Sequence, residues 1–192
     1  SSPGDDSGAS DAGAIYLFNG ETGSLISTMR SNIASTSLGN SAADIIKLTS
    51  NGNFVVRNTG WNTSRGIVAW GDGTNGTNAI IDATNSLSGS SASDQVGGAI
   101  ALLTNGNYVV GSPNANGGRG YATFVYGNNG HIADTGSISG NPSNTNSVYG
   151  SAANDGVGSS IIALTNDNYV LASPNLDDGA SNTGAVSLVN GD

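Results

Sequence analysis

The chain has 192 residues and no cysteine, with 5 Lys plus Arg against 14 Asp plus Glu and a net charge of −9. That balance excludes a nucleic-acid binder, whose affinity rests on Lys and Arg neutralising phosphates, and the missing thiols exclude disulfides, thiol catalysis and thiolate metal sites. Thirty glycines and only 10% charged residues leave few helix formers, and no apolar run approaches the roughly 20 residues of a membrane-spanning helix.

The first unit, residues 3–58, opens on a Gly/Ser-rich stretch carrying Asp5 and Asp6. A strand is predicted at GAIYLFNG (13–20), a weaker one at SLISTMRS (24–31), a third at IIKLT (45–49) and a fourth at NFVVRN (53–58). The second unit, 59–112, repeats the order with GIVAWGDG (66–73), TNAIIDATN (77–85), AIALLT (99–104) and NYVVGS (107–112). The third unit, 113–173, gives YATFVYGN (121–128), a weak second strand near 131–139, IIALT (161–165) and NYVLAS (168–173). A partial unit, 174–192, contains only a first strand, GAVSLVNG (184–191). Short β-rich runs bounded by Gly, Asn and Ser are the strand-and-turn pattern of an all-β chain.

The repetition is literal in places. LTNGNYVVGSP (103–113) returns as LTNDNYVLASP (164–174), with a looser copy, TSNGNFVVRNT, at 49–59. GSSASDQVGGAI (89–100) matches GSAANDGVGSSI (150–161). Residues 2–20 align without gaps to 173–191, an offset of 171 residues, or three repeats of about 57. Asn51-Gly52, Asn105-Gly106 and Asn166-Asp167 join the third and fourth strands, and an Asn-Gly pair there predicts a type I′ hairpin with positive φ at both central residues. Asp167 is the less comfortable occupant, so the third hairpin is expected to be strained or to use another turn.

Four short strands per unit in tandem form the signature of β-propeller blades, and a β-solenoid is the competing architecture. The whole chain reads as one repeat array. Its motifs, Val96-Gly97 and Val157-Gly158 followed by Gly111-Ser112-Pro113 and Ala172-Ser173-Pro174, resemble the FG-GAP repeats of integrin-α-type propellers, closest to versions in bacterial surface proteins. The resemblance implies a calcium loop between third and fourth strands, but here only a bare two-residue turn stands there, so no blade calcium site carries over. Arg57-Asn58-Thr59 replaces the Gly-Ser-Pro-like triplet, which predicts an irregular junction.

Candidate sites are few, and no catalytic, cofactor or metal residue is nominated. Asp5-Asp6 and Asp177-Asp178 could hold a weak surface calcium ion or be solvated acidic loops. GDGTNG (71–76) fits G-x-G-x-x-G, yet a strand follows it where a dinucleotide site needs a helix, so it reads as a turn. His131 is the single histidine and has no nucleophile elbow to serve. Trp61, Trp70, Tyr121 and Tyr126 could stack sugars or pack between blades. Asn62-Thr63-Ser64 and Asn75-Gly76-Thr77 fit the N-glycosylation pattern, relevant to a eukaryotic secreted chain. First strands number four against three of each other kind, so the sequence reads as an excerpt of a longer array or a protomer whose spare edge strand pairs with a neighbour.

The function expected is a non-enzymatic, extracellular structural or adhesive module of a bacterial surface or filamentous protein. Its partners would be copies of itself or neighbouring repeats, head to tail. A lectin-like propeller binding surface glycans is the alternative.

Overall fold

A computed structural model describes residues 1–177 and 182–191. Asp178, half of one predicted acidic pair, lies outside the described residues. The fold is all-β, and its strands form four separate sheets. The first sheet orders β1 (Ala14–Phe18), β2 (Leu25–Ser31) and β6 (Ala79–Ile81). The second joins β3 (Ile45–Lys47), β4 (Phe54–Asn58), β5 (Ile67–Gly71) and β7 (Leu87–Ser88). The third joins β8 (Ala99–Leu102), β9 (Tyr108–Ser112), β10 (Tyr121–Val125) and β11 (Ser147–Tyr149). The fourth contains β12 (Ser160–Ala163), β13 (Tyr169–Ser173) and β14 (Ala185–Val189). None of them closes on itself.

Predicted first, third and fourth strands all form, because each has apolar or β-branched residues on both faces and a turn on each side. The sheets are framed differently from the predicted units, however. The third and fourth strands of one unit pair with the first strand of the next, as β3-β4-β5, β8-β9-β10 and β12-β13-β14. The second predicted strand of the first unit, β2, pairs with that unit's β1, but that of the second unit, β6, does not join a sheet of its own unit. β6 crosses to the first sheet and runs parallel to β2. The stretch near residues 131–139 forms no strand, and only Ile132 bridges to Val125 and Ser137. One buried isoleucine among Asp134 and Gly136, both at positive φ, supplies no alternating face to pair. β7 and β11 were not foreseen, since two or three residues are too short for a period-2 pattern.

The hairpins between third and fourth strands exist, but the turn is not type I′. In the second hairpin Leu103 N–H donates to Asn107 O and Gly106 N–H to Leu103 O. Gly106 has φ 90, while Asn105 is not among the positive-φ residues. This is a three-residue loop, a type I turn followed by one left-handed residue, and it needs a single positive φ. Gly52 (φ 77) and Asp167 (φ 68) fill that position in the other copies, so the third hairpin keeps the turn and Asp167 carries the strain.

The sheets stack face to face. Ile15, Met29 and Ile81 of the first sheet pack on Val56, Ile67 and Ala69 of the second. The opposite face of the second, Val55, Val68 and Leu87, packs on Tyr108, Val110 and Val125 of the third. The other face of the third, Val109, Ala122 and Phe124, covers Tyr169, Leu171 and Ile161 of the fourth. Every inner sheet is thus buried on both faces, and each face comes from one parity of the strand residues.

Candidate functional site

Of the predicted acidic residues, Asp5, Asp6 and Asp177 are loop fasteners. Asp5 accepts hydrogen bonds from Ser7 N–H, the Ser7 hydroxyl and the Tyr16 hydroxyl. Those bonds, Ser7's side chain foremost, pull its pKa down to about 2. Asp6 accepts from Asp11 N–H at 2.7 Å, and Asp177 accepts from Asn182 N–H at 2.6 Å, so the 171-residue offset holds in the structure. By that offset Asp5 corresponds to Leu176, whose carbonyl takes Gly184 N–H as that of Asp5 takes Gly13 N–H. Only Asp6 and Asp177 are therefore equivalent. Among the described residues no group of three or more His, Asp or Glu could hold a metal ion.

The remaining candidates do not converge. Gly71–Gly76 is a turn, as expected: Asp72 caps it by accepting from the N–H groups of Thr74 and Asn75. Half-buried His131 takes part through its backbone, donating N–H to Asn129 Oδ1. Trp61 is buried between the first and second sheets. Trp70 packs between the second and third and donates its indole N–H to Gly127 O at 2.9 Å. Buried Tyr121 contacts Tyr149, whereas Tyr126 is exposed beside Phe124. The four aromatics form no common platform. Asn62-Thr63-Ser64 lies in a left-handed turn, mirrored by Asn116-Gly117-Gly118 in the next repeat.

Two buried carboxylates escaped the sequence reading. Asp94 accepts from Ser91 N–H at 2.8 Å and the Ser90 hydroxyl at 3.2 Å. Asp155 accepts from Ala152 N–H at 2.7 Å and the Ser151 hydroxyl at 3.1 Å, and the first of these leads in lowering its pKa. Both sit in the repeated GSSASD and GSAAND segments, so the signal was visible only as an alignment anchor. In the first unit Thr36 takes this place, donating its hydroxyl to Ala12 O and Ile33 O. The following Leu38 then stands where Val96 and Val157 stand in the later copies, with N–H donated to Ala12 O as theirs go to Arg65 O and Arg119 O. The junction after Arg57 is regular, not irregular as expected: β4 pairs β5 in the register of β9 with β10, and the turns at 61–64 and 115–118 match, while the Arg57 guanidinium reaches Gly97 O at 3.1 Å and Asp44 at 3.7 Å.

A ladder of hairpin tips runs from repeat to repeat. Ser50 Oγ donates to Thr104 O, and Asn53 Nδ2 donates to Gly127 O, both at 3.0 Å. One repeat further on, the Thr104 hydroxyl and Asn105 N–H both donate to Asp167 Oδ1, and Asn105 Nδ2 donates to Gly191 O. Glycine is required beneath each tip. A Cβ on Gly73, Gly127 or Gly191 would lie 1.9, 1.7 or 1.8 Å from the carbonyl oxygen of Gly52, Gly106 or Asp167.

Two outer surfaces break this regularity. On the fourth sheet Ile162, Val186 and Leu188 are 59%, 76% and 67% exposed. Their counterparts on the third sheet, Ala101, Ala122 and Phe124, pack toward the fourth, with Ala122 only 1% exposed. On the first sheet, Phe18, Leu25 and Ile80 are exposed on the face turned away from the second. On the opposite face of the first sheet, between it and the second, lies a cavity of about 290 Å³ lined by Ser1, Ile15, Leu17, Ile45, Lys47 and Phe54 among others.

Sheets of like make, joined by a repeated ladder, define an all-β tandem-repeat protein. A family model described as a repeat of unknown function (DUF5650) matches residues 48–98, 102–159 and 163–192, and the chain belongs to that family. No curated protein matches the chain. The matching family overturns the FG-GAP resemblance. The shared Val-Gly and Gly-Ser-Pro motifs answer a general need for close backbone approach. Gly97, Gly111 and Gly158 all sit where a Cβ would crowd a neighbouring repeat or strand. Among the described residues no helix is long and apolar enough to cross a membrane.

Proposed function

We propose that the chain is a non-enzymatic scaffold, a row of propeller-type blades that associates head to tail with further copies through its open edges and end faces. The observation carrying this reading is the contrast between Val186 and Leu188, exposed on the fourth sheet, and Ala122 and Phe124, which cover a neighbouring sheet from the equivalent positions. A repeat face that is covered internally is built to be covered again, because burying apolar surface recovers about 25 cal/mol per Å². β14 pairs with β13 alone among the described strands. A cysteine-free, acidic composition suits an extracellular setting, and we place the module on a bacterial surface or in a filament.

Mass photometry with negative-stain electron microscopy tests this. Wild-type protein is expected to form multiples of the monomer, and the Val186→Lys/Leu188→Lys double variant to lose them. A wild-type chain that stays monomeric at every concentration contradicts the proposal.

A further inference from the structure

We infer that the cleft over Asp94, where the loop at 91–95 meets the turn at 114–118, is a binding site for a neutral glycan. Asp94 is only 4% exposed. Its Oδ2 is held by Ser91 N–H and the Ser90 hydroxyl, and its Oδ1 accepts no hydrogen bond among the described residues. The other two copies of this loop have no such oxygen. In the third repeat Asp155 Oδ1 takes Asp177 N–H at 3.4 Å. Asn116, the counterpart of Asp177 by the 61-residue offset, sits in the left-handed turn at φ 54 and makes no such bond to Asp94. In the first repeat Thr36 stands in place of the carboxylate, its hydroxyl committed to Ala12 O and Ile33 O. The feature therefore occurs once in three otherwise matching loops.

Asp94 lines a cleft of about 500 Å³, a volume in the range of small-molecule sites. It is the only acidic residue among the described walls, and around it stand Ser93, Gln95, Asn114, Asn116 and Asn154. Gln95 and Asn114 also line an adjoining hollow of about 280 Å³ that reaches Arg57, whose charge Asp44 meets at 3.7 Å. Two of the amides are set in place beforehand, Asn114 Nδ2 donating to Gln95 Oε1 and Asn116 Nδ2 to the Tyr121 hydroxyl. An amide offers both N–H donors and a carbonyl acceptor, and a carboxylate oxygen accepts strongly, which is the mixture that neighbouring sugar hydroxyls need. Calcium fits poorly, because it takes about 6 to 8 oxygens and a single carboxylate stands here in a cleft much wider than an ion. A polyanion is repelled by the net charge of −9. The described walls include no aromatic face for a sugar to stack on. Affinity then rests on hydrogen bonds, with dissociation constants of about 1 mM.

This site is independent of head-to-tail association, and either can fail without the other. Maltose, cellobiose, lactose and chitobiose are titrated into the isotope-labelled whole chain, and backbone amide shifts are followed by NMR. At least one sugar is expected to saturate, with the largest shifts at 91–95 and 114–118. Asp94→Asn, which keeps an acceptor oxygen and loses the charge, should weaken binding about tenfold. Asn154→Gly removes an exposed amide from the cleft wall, while glycine suits the left-handed backbone there (φ 69) and keeps the N–H donated to Gly117 O. It should weaken binding severalfold with the fold intact, which decides the matter even if Asp94→Asn does not fold. No saturation by any of the four sugars up to about 50 mM overturns the inference. Shifts confined to other residues, unchanged affinity in Asn154→Gly, or a response at these amides to calcium chloride in place of every sugar overturns it as well.

Discussion

At the scale of single residues, glycine does two separate jobs that the sequence does not distinguish. Gly127 lies under the hairpin tip, where a Cβ would sit 1.7 Å from Gly106 O, whereas Gly20 has nothing within 4 Å of that position. Gly127→Ala should therefore cost about 1–3 kcal/mol or more, as overpacking does, and Gly20→Ala should change stability by less than about 0.5 kcal/mol. Urea unfolding of the two variants checks the contrast. A Gly-rich composition announced turns, but which glycines are close-approach points depends on the neighbouring repeat, and no local pattern encodes that. Asp94 and Asp155 were hidden for a similar reason. An Asp in a Ser/Ala-rich loop reads as solvated until the loop folds over it.

At the scale of elements, the hairpin was legible and its turn was not. Asn-Gly matches both a type I′ turn and the observed three-residue loop, and the choice depends on whether Leu103 or Thr104 closes the ladder. Asp167 shows both sides of the balance. It holds a left-handed φ of 68, which favours Gly or Asn, yet its carboxylate receives Thr104 and Asn105 from the preceding repeat. Asp167→Asn keeps an acceptor oxygen and tolerates the turn, so its stability should stay within about 0.5 kcal/mol of wild type. Asp167→Ala keeps the strain and loses the acceptor, and should cost about 1–2 kcal/mol. Thermal denaturation of both variants separates these outcomes. Strand identities came through because apolar residues fill both faces, while strand partners did not. Pairing across unit boundaries is set by stacking, and the β2–β6 parallel pair has no sequence signal.

At the scale of the molecule, stability resides in the three interfaces between sheets, and two buried tyrosines report on them. Burial between the third and fourth sheets pushes the Tyr169 phenol up to about 12 from 10.0, and burial raises Tyr108 as well. Between pH 10 and 12 the unfolded chain releases phenolic protons that the folded chain retains. Stability present below pH 10 should therefore fall as pH rises through that window, and Tyr169→Phe should flatten the fall. Denaturant midpoints at pH 8 to 11.5 measure it. A net charge of −9 also opposes assembly of copies, so added salt should favour multimers.

Under the proposed head-to-tail association, the outer face of the fourth sheet meets the outer face of the first sheet of another copy. Mixing Leu188→Lys protein, whose fourth-sheet face is blocked, with Phe18→Lys protein, whose first-sheet face is blocked, tests it most directly by sedimentation velocity. Each variant alone should remain monomeric and the mixture should give a heterodimer and nothing larger. Multimers formed by either variant alone, or no complex in the mixture while wild type assembles, would contradict the account.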